Sequence, residues 1–250
     1  MQHNVVINSL TPLRSAVGHP WYSYYVLKTE GIFQSQEEID NFTWRDPETG
    51  IKQKVQPNAK PGDFKYVDFN NDGKITDDDK QYLGSYMPKI TFGFGGNLQW
   101  KGIDFSFQFQ GVGKSTVYNG FKQMGYTGRG QGGNMLADVK NSWEYNKTSG
   151  VPRIGLISDP NGNYNSLNDF FLEDASYLRL KNVTIGYTLP DNVMRAIGLP
   201  GSTARFYLNG ENLFTATDYS GIDPEVGNFG IDGGTYPVAR SFSIGFNFSF

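Results

Sequence analysis

The last eleven residues, Arg240 to Phe250, set Phe242, Ile244, Phe246, Phe248 and Phe250 at every even position, with Ser, Gly or Asn between them. An alternation of period two gives a β-strand one apolar face and one polar face. Between Thr91 and Trp100 the pattern returns, with Phe92, Phe94, Leu98 and Trp100 opposed to Thr91, Gly93, Gly95, Asn97 and Gln99. Lys101-Gly102 then predicts a tight turn. On the return, Ile103, Phe105, Phe107 and Phe109 alternate with Asp104, Ser106, Gln108 and Gln110. The Phe face needs lipid or a core, whereas the amide-rich face is too polar for a dry interior and suits a water-filled lumen.

Two further stretches alternate with a slip of phase. In Tyr177 to Leu189, Leu178 and Leu180 share one parity and Val183, Ile185, Tyr187 and Leu189 the other. One extra residue near Lys181-Asn182, a β-bulge, restores a single apolar face. Thr203 to Phe214 behaves alike, with Ala204, Phe206 and Leu208 followed by Leu213. Trp21 to Leu27 predicts a weaker strand, and a short helical turn is expected around Val193 to Ile197. That makes roughly six strands of the length a tilted membrane strand needs.

The connections are unequal. Lys101-Gly102 and 190–202 are short, while 28–90, 112–169 and 215–237 are long and rich in Gly, Asn, Asp and Tyr. Short turns on one side and long loops on the other mark an outer-membrane barrel. About six strands cannot close around so polar a lumen, since small barrels of about eight fill their interior and barrels of about 22 hold a plug. The pattern predicts an all-β fold: an antiparallel transmembrane β-barrel fragment, the C-terminal strands of a large barrel, with long extracellular loops.

Composition sharpens this reading. The chain has 250 residues, 31 Gly and 15% aromatics, and its mean hydropathy of −0.48 fits a wall that alternates apolar with polar residues. Having no Cys excludes disulfides, thiolate metal sites and a cysteine nucleophile. A formal charge of −3 with no basic block argues against nucleic acid as a partner. Met1 to Asn8 lacks a basic stretch followed by an apolar one, which predicts either a cytosolic protein or a piece of a longer one whose export signal lies upstream.

Asp68 to Asp79 matches a twelve-residue EF-hand-like loop. Asp68, Asn70 and Asp72 supply oxygens at positions 1, 3 and 5, Gly73 allows the sharp turn, and Ile75 is the apolar position 8. Lys74 would give its carbonyl, Thr76 would act directly or through water, and Asp79 closes the shell. The spacing predicts a structural Ca2+ in an outer loop; the plainer reading is an Asx-rich turn. Gly113-Lys114-Ser115-Thr116 imitates the end of a phosphate loop, but its first Gly would have to stand at Gln108, so it reads as a strand end. His3 and His19, the two histidines, have no sequence partner for a zinc site or a triad. Glu173-Asp174 reads as the start of a strand, and the loop aromatics, among them Tyr118, Tyr126, Tyr145, Tyr164 and Tyr236, as packing groups or sugar-stacking groups.

In collinear order, residues 31–39, 61–68, 84–93, 173–187, 210–214, 219–225 and 234–237 resemble the C-terminal region of the SusC/RagA family of TonB-dependent outer-membrane transporters. They include Gly31-Ile32-Phe33-Gln34-Ser35-Gln36, Glu173-Asp174-Ala175-Ser176-Tyr177-Leu178-Arg179-Leu180, Gly210-Glu211-Asn212-Leu213-Phe214 and Gly234-Thr235-Tyr236-Pro237. The resemblance implies a barrel of about 22 strands in the outer membrane of a Gram-negative cell. It further implies an N-terminal plug, energy relayed through TonB, and a SusD-like surface lipoprotein that helps capture glycans or peptides for nutrient uptake. These 250 residues lack the signal, the plug and most strands, so import is expected of the parent. The same resemblance makes residues 238–250 the terminal strand, with Phe250, Phe248, Phe246, Ile244 and Phe242 read by the barrel-assembly machinery. Catalysis is not expected. A soluble calcium-stabilised extracellular β-domain that binds glycans is the contrasting expectation, and it would bury Phe92, Phe105 and Phe246 between two sheets.

Overall fold

The computed structural model describes residues 11–127, 134–155 and 158–250; Met1 to Asn8, with His3, lie outside the described residues. Two compact units divide the chain. The strand unit comprises 88–115, 174–225 and 236–250, and the loop unit comprises 116–173, 226–235 and the residues up to 87.

In the strand unit, among the described residues, five long strands form one antiparallel sheet: β1 (Ile90–Trp100), β2 (Ile103–Gly113), β3 (Tyr177–Thr188), β4 (Thr203–Thr217) and β5 (Ser241–Ser249). They neighbour one another in chain order. The β1–β2 turn places Lys101 at φ 48° and Gly102 at φ 86°, the paired left-handed conformation that a two-residue hairpin requires. Register aligns the apolar residues in rows across all five strands: Leu98, Phe105, Ile185, Leu208 and Ile244 in one, Trp100, Ile103, Tyr187, Phe206 and Phe246 in the next. The opposite face carries rows such as Asn97, Ser106, Thr184, Asn209 and Ser243.

The expected bulge is present and doubled. Pairing of β3 with β2 steps from Leu180–Phe109 to Asn182–Gln108, leaving Lys181 as the extra residue. Pairing with β4 steps from Leu180–Phe214 to Asn182–Glu211, so Asn212 and Leu213 stand against Lys181 alone. Asn212 takes the strain at φ 53°. Each insertion restores the phase of its strand, which is why both sequences break alternation at the same level of the sheet. Between β3 and β4, the helix Asp191–Ala196 occupies the expected helical turn.

Trp21 to Leu27 does not join this sheet. Its strand is only Ser23–Val26, and Ser23, Tyr24 and Val26 are all buried, so it lacks a solvent or lipid face. It pairs with Leu13–Arg14 and Gln81–Ser85 in the loop unit, and the sheet therefore has five strands where roughly six were expected. The long connections are also more ordered than their composition suggests. They hold the antiparallel pair Thr29–Ile32 with Phe64–Tyr66 and the hairpin Thr43–Arg45 with Lys52–Lys54. They also hold the helices Gln36–Asn41 and Gly120–Thr127 and a parallel pair, Thr116–Asn119 with Ile231–Asp232.

The loop unit has its own core, in which Leu13, Tyr24, Val26, Tyr118, Tyr126, Tyr164 and Phe171 cluster. Three loop aromatics weighed as stacking groups, Tyr118, Tyr126 and Tyr164, are thus packing groups. Buried tyrosines need partners for their hydroxyls. Tyr24 donates to the carbonyls of Thr116 at 2.9 Å and Gly230 at 2.8 Å, and Tyr164 donates to Pro152 O at 2.8 Å.

Candidate functional site

Period two puts the sheet's phenylalanines on one face, and that face is bare, whereas Tyr207 stands in the polar row with Asp104 and Gly186. Phe92, Phe94, Phe206, Ile244 and Phe246 are each between 45% and 84% exposed. Rings meet along the face instead of being covered, Phe94 on Phe109 at 4.9 Å and Phe206 on Phe246 at 4.7 Å. Phe242, Phe248 and the terminal Phe250 extend it and are exposed too. The burial of Phe92, Phe105 and Phe246 that a soluble sandwich demands is not observed, Phe92 and Phe246 being exposed and Phe105 half-buried.

The polar face is cross-linked from strand to strand. Asn209 Oδ1 accepts from Asn182 Nδ2 at 2.9 Å and Thr184 Oγ1 at 2.8 Å. Arg205 donates its Nε and Nη2 to Asp104 at 2.8 and 2.5 Å, a bidentate pair that reaches from β4 to β2 across β3. Gly186 of β3 makes room for it, since a Cβ there would fall 2.4 Å from Asp104 Oδ1. One bare aromatic face, one hydrogen-bonded polar face and two outer strands, β1 and β5, each paired on one side only among the described residues define a segment of transmembrane barrel wall.

At one end of β3, on the polar face, stands a group that alternation alone did not single out. Arg179 is 2% exposed and donates to Thr215 Oγ1 at 2.9 Å, Glu225 Oε2 at 2.8 Å and Asp223 Oδ1 at 2.5 Å. Lys181 adds a second cation to Glu225 at 3.0 Å. Burial opposes the charge on Asp223, but the N–H groups of Glu225 and Val238 and the Arg179 guanidinium outweigh it and hold the carboxyl below its ordinary value. The cluster ties the connection after β4 to the β3 wall.

The Asp68–Asp79 loop is curled by its own backbone. Asp68 accepts from Asp72 N–H at 3.1 Å and Gly73 N–H at 2.8 Å, and Asp72 from Lys74 N–H at 2.9 Å. Asp79 is wholly buried; it accepts from the N–H groups of Phe69 at 2.9 Å, Asn70 at 3.3 Å and Thr76 at 2.7 Å. Thr76 and Asp79 form a reciprocal capping box on the single turn Asp77–Asp79. Gly73 lies at φ 80°, and a Cβ there would meet the Trp44 ring at 2.6 Å. Asp68, Asn70, Asp72, the Lys74 carbonyl, Thr76 and Asp79 are an all-oxygen set, which fits a hard cation. Among the described residues no three acidic or histidine side chains stand together as a metal cluster.

Two charged networks of the loop unit were not visible in the sequence. Asp63 is completely buried against Arg153 Nε at 2.6 Å and accepts from Asn163 Nδ2 and Lys60 N–H, each at 2.8 Å. Lys122 pairs with Glu173 at 2.9 Å, so Glu173 is a partner in an ion pair as well as part of the short strand Leu172–Asp174.

Comparison with known proteins agrees with this geometry. The chain is 37% identical over 248 residues to TonB-dependent receptor P26 of Formosa agariphila, covering 95% of this chain and 23% of that one. With TonB-dependent receptor SusC of Bacteroides thetaiotaomicron it shares 29% over 199 residues, 80% of this chain and 19% of SusC. The solved RagAB peptide transporter superposes with a TM-score of 0.68 at 26% identity, over 96% of this chain and 24% of that one. No protein-family model matches the chain. Over most of its own length the chain resembles the C-terminal part of SusC/RagA-type TonB-dependent receptors, and its sheet is of the outer-membrane β-barrel kind. It spans about a quarter of the length of these relatives. They are named as receptors and transporters, not as enzymes.

Proposed function

We propose that these residues form wall strands and outer loops of a TonB-dependent importer that takes up glycans or peptides together with a SusD-like surface lipoprotein. The carrying observation is the five-stranded sheet with a bare aromatic face, which only lipid and further strands can complete. The likeness to SusC and to RagAB supports the importer reading and the lipoprotein partner. Transport belongs to the intact receptor, since this polypeptide alone closes no barrel.

Fractionated cells probed with an antibody to the 218–240 loop test the reading. An outer-membrane band several times heavier than this chain, shifting on boiling, is expected; a soluble band of 27.9 kDa would overturn it. In the same reading the aromatic positions Phe242 to Phe250 address the chain to the barrel-assembly machinery. Phe250→Ser in the intact receptor is expected to cut the heat-modifiable band severely, and undiminished assembly would remove Phe250 from that role.

Ca2+ enters the proposal as a structural ion of the Asp68–Asp79 loop. Support comes from the twelve-residue spacing, the all-oxygen donors and the backbone curl around Gly73. Asp79 braces N–H groups whether or not an ion is bound, so exposed Asp72 is the discriminating position. Calorimetry on the detergent-solubilised receptor is expected to show calcium binding that Asp72→Ser weakens about tenfold or more, the loss of one ligand carboxylate. Equal heats in the two proteins would reject the ion.

A further inference from the structure

Within the loop unit, the tail of the Asp68–Asp79 loop faces a second Asx-rich turn across a cavity of about 440 Å³. This second turn, Asp159 to Ser166, is tied by hydrogen bonds. Asp159 accepts from the N–H groups of Asn163, Tyr164 and Asn165 at 2.8, 2.8 and 3.0 Å. Asn161 donates to Phe64 O at 3.0 Å and accepts from Gln56 Nε2 at 2.8 Å, while Tyr66 donates to Gly162 O at 2.8 Å. With these groups satisfied by one another, the walls are organised before any ligand arrives.

Three lining side chains are left with capacity. The amides of Asn58 and Asn165 and the hydroxyl of Ser166 line the cavity and make no hydrogen bond among the described residues. Each can donate and accept at once, which matches vicinal hydroxyls. Pro57, Pro160 and Ile75 supply apolar surface beside them, suited to the C–H face of a pyranose ring. Asp77 and Asp159 are the charged residues of the lining, and Lys80 neutralises Asp77 in part at 2.9 Å. No Lys or Arg is among the lining residues. Uronates, sulfated sugars and peptide carboxylates therefore meet like charge and no Lys or Arg of the lining.

We infer that this cavity is a binding subsite for neutral saccharide units on the loops of the receptor. The inference rests on the importer reading above and narrows its ligand at this site to uncharged glycan. Its volume lies within the usual span of small-ligand sites, about 300–1,000 Å³.

The test uses the intact receptor in detergent on an array of neutral, uronate-containing and sulfated oligosaccharides, with a set of peptides alongside. Binding to neutral oligosaccharides is expected, and Asn58→Ala with Asn165→Ala should weaken it about tenfold, as removal of two hydrogen-bonding amides would. Both residues are exposed, so thermal unfolding should stay unchanged and a loss of binding is local. Neutral-glycan affinity unaltered in the double variant would overturn the subsite and leave the importer reading intact. So would binding confined to anionic glycans or to peptides. A receptor that is absent from the outer membrane would instead defeat the importer reading itself.

Discussion

Arg179→Met is expected to destabilise the folded receptor by about 3–5 kcal/mol, the usual cost of removing one partner from a buried ion cluster. The guanidinium binds Thr215, Asp223 and Glu225 at once, and Met fills much of its volume without replacing any of these bonds. Asp223 is then left with 11% of its side chain exposed and no cation. Urea unfolding of the refolded receptor measures the loss. Adding Asp223→Leu should recover a large part of it, because an apolar pair replaces an unpaired charge; no recovery would mean that Arg179 acts through something other than this pairing. The cluster also fixes a pH dependence. A carboxyl held below its ordinary value contributes fully above its unfolded pKa of about 3.9, and that contribution disappears as pH falls through the lower folded value. Wild type should therefore lose stability on acidification below about pH 4, with Arg179→Met losing less.

Asp63→Ala should be of similar size, about 3–5 kcal/mol, and confined to the loop unit. The carboxylate is fully buried and serves Arg153, Asn163 and the Lys60 N–H together. Alanine leaves a half-buried guanidinium and a buried amide without their acceptor, each of which carries a desolvation cost. Hydrogen exchange on the intact receptor should show protection falling in 56–66 and 159–168 while β3 and β4 keep theirs. Uniform loss across both units would show that Asp63 supports more than the loop core. Because Asn163 also accepts from Phe64 N–H at 3.0 Å, the variant should weaken saccharide binding along with the fold of the turn.

The wall was legible in the sequence because its physics is local. Period two, the Lys101-Gly102 turn and the phase slip near Lys181 each act over a few neighbouring residues, and all appear where the pattern puts them. The loop unit was not legible, for the opposite reason. Its strands are only two to five residues long, and some, such as Ser23–Val26, are largely buried, so no alternation can develop. Its polar ties join residues far apart, Asp63 with Asn163 across 100 positions. Arg179 illustrates the boundary between the two. Alternation assigns it to the polar face, but its anions lie 44 and 46 residues further on, in an Asp-Pro-Glu segment that reads as an ordinary turn. The Asp68–Asp79 spacing was visible, whereas the engagement of its carboxylates by N–H groups required the folded backbone.

The hydroxyl of Tyr24 joins Thr116 and Gly230, and those three residues come from three stretches of chain separated by long wall strands. Their shared core packs these stretches as one unit, which should therefore be inherited together. A genetic exchange between relatives that moved one stretch would deliver part of a core to two partners shaped for another. Ligand preference in such receptors should then pass between lineages by replacement of the whole set, while the intervening wall strands, answerable only to lipid and to their neighbours, drift at their own pace.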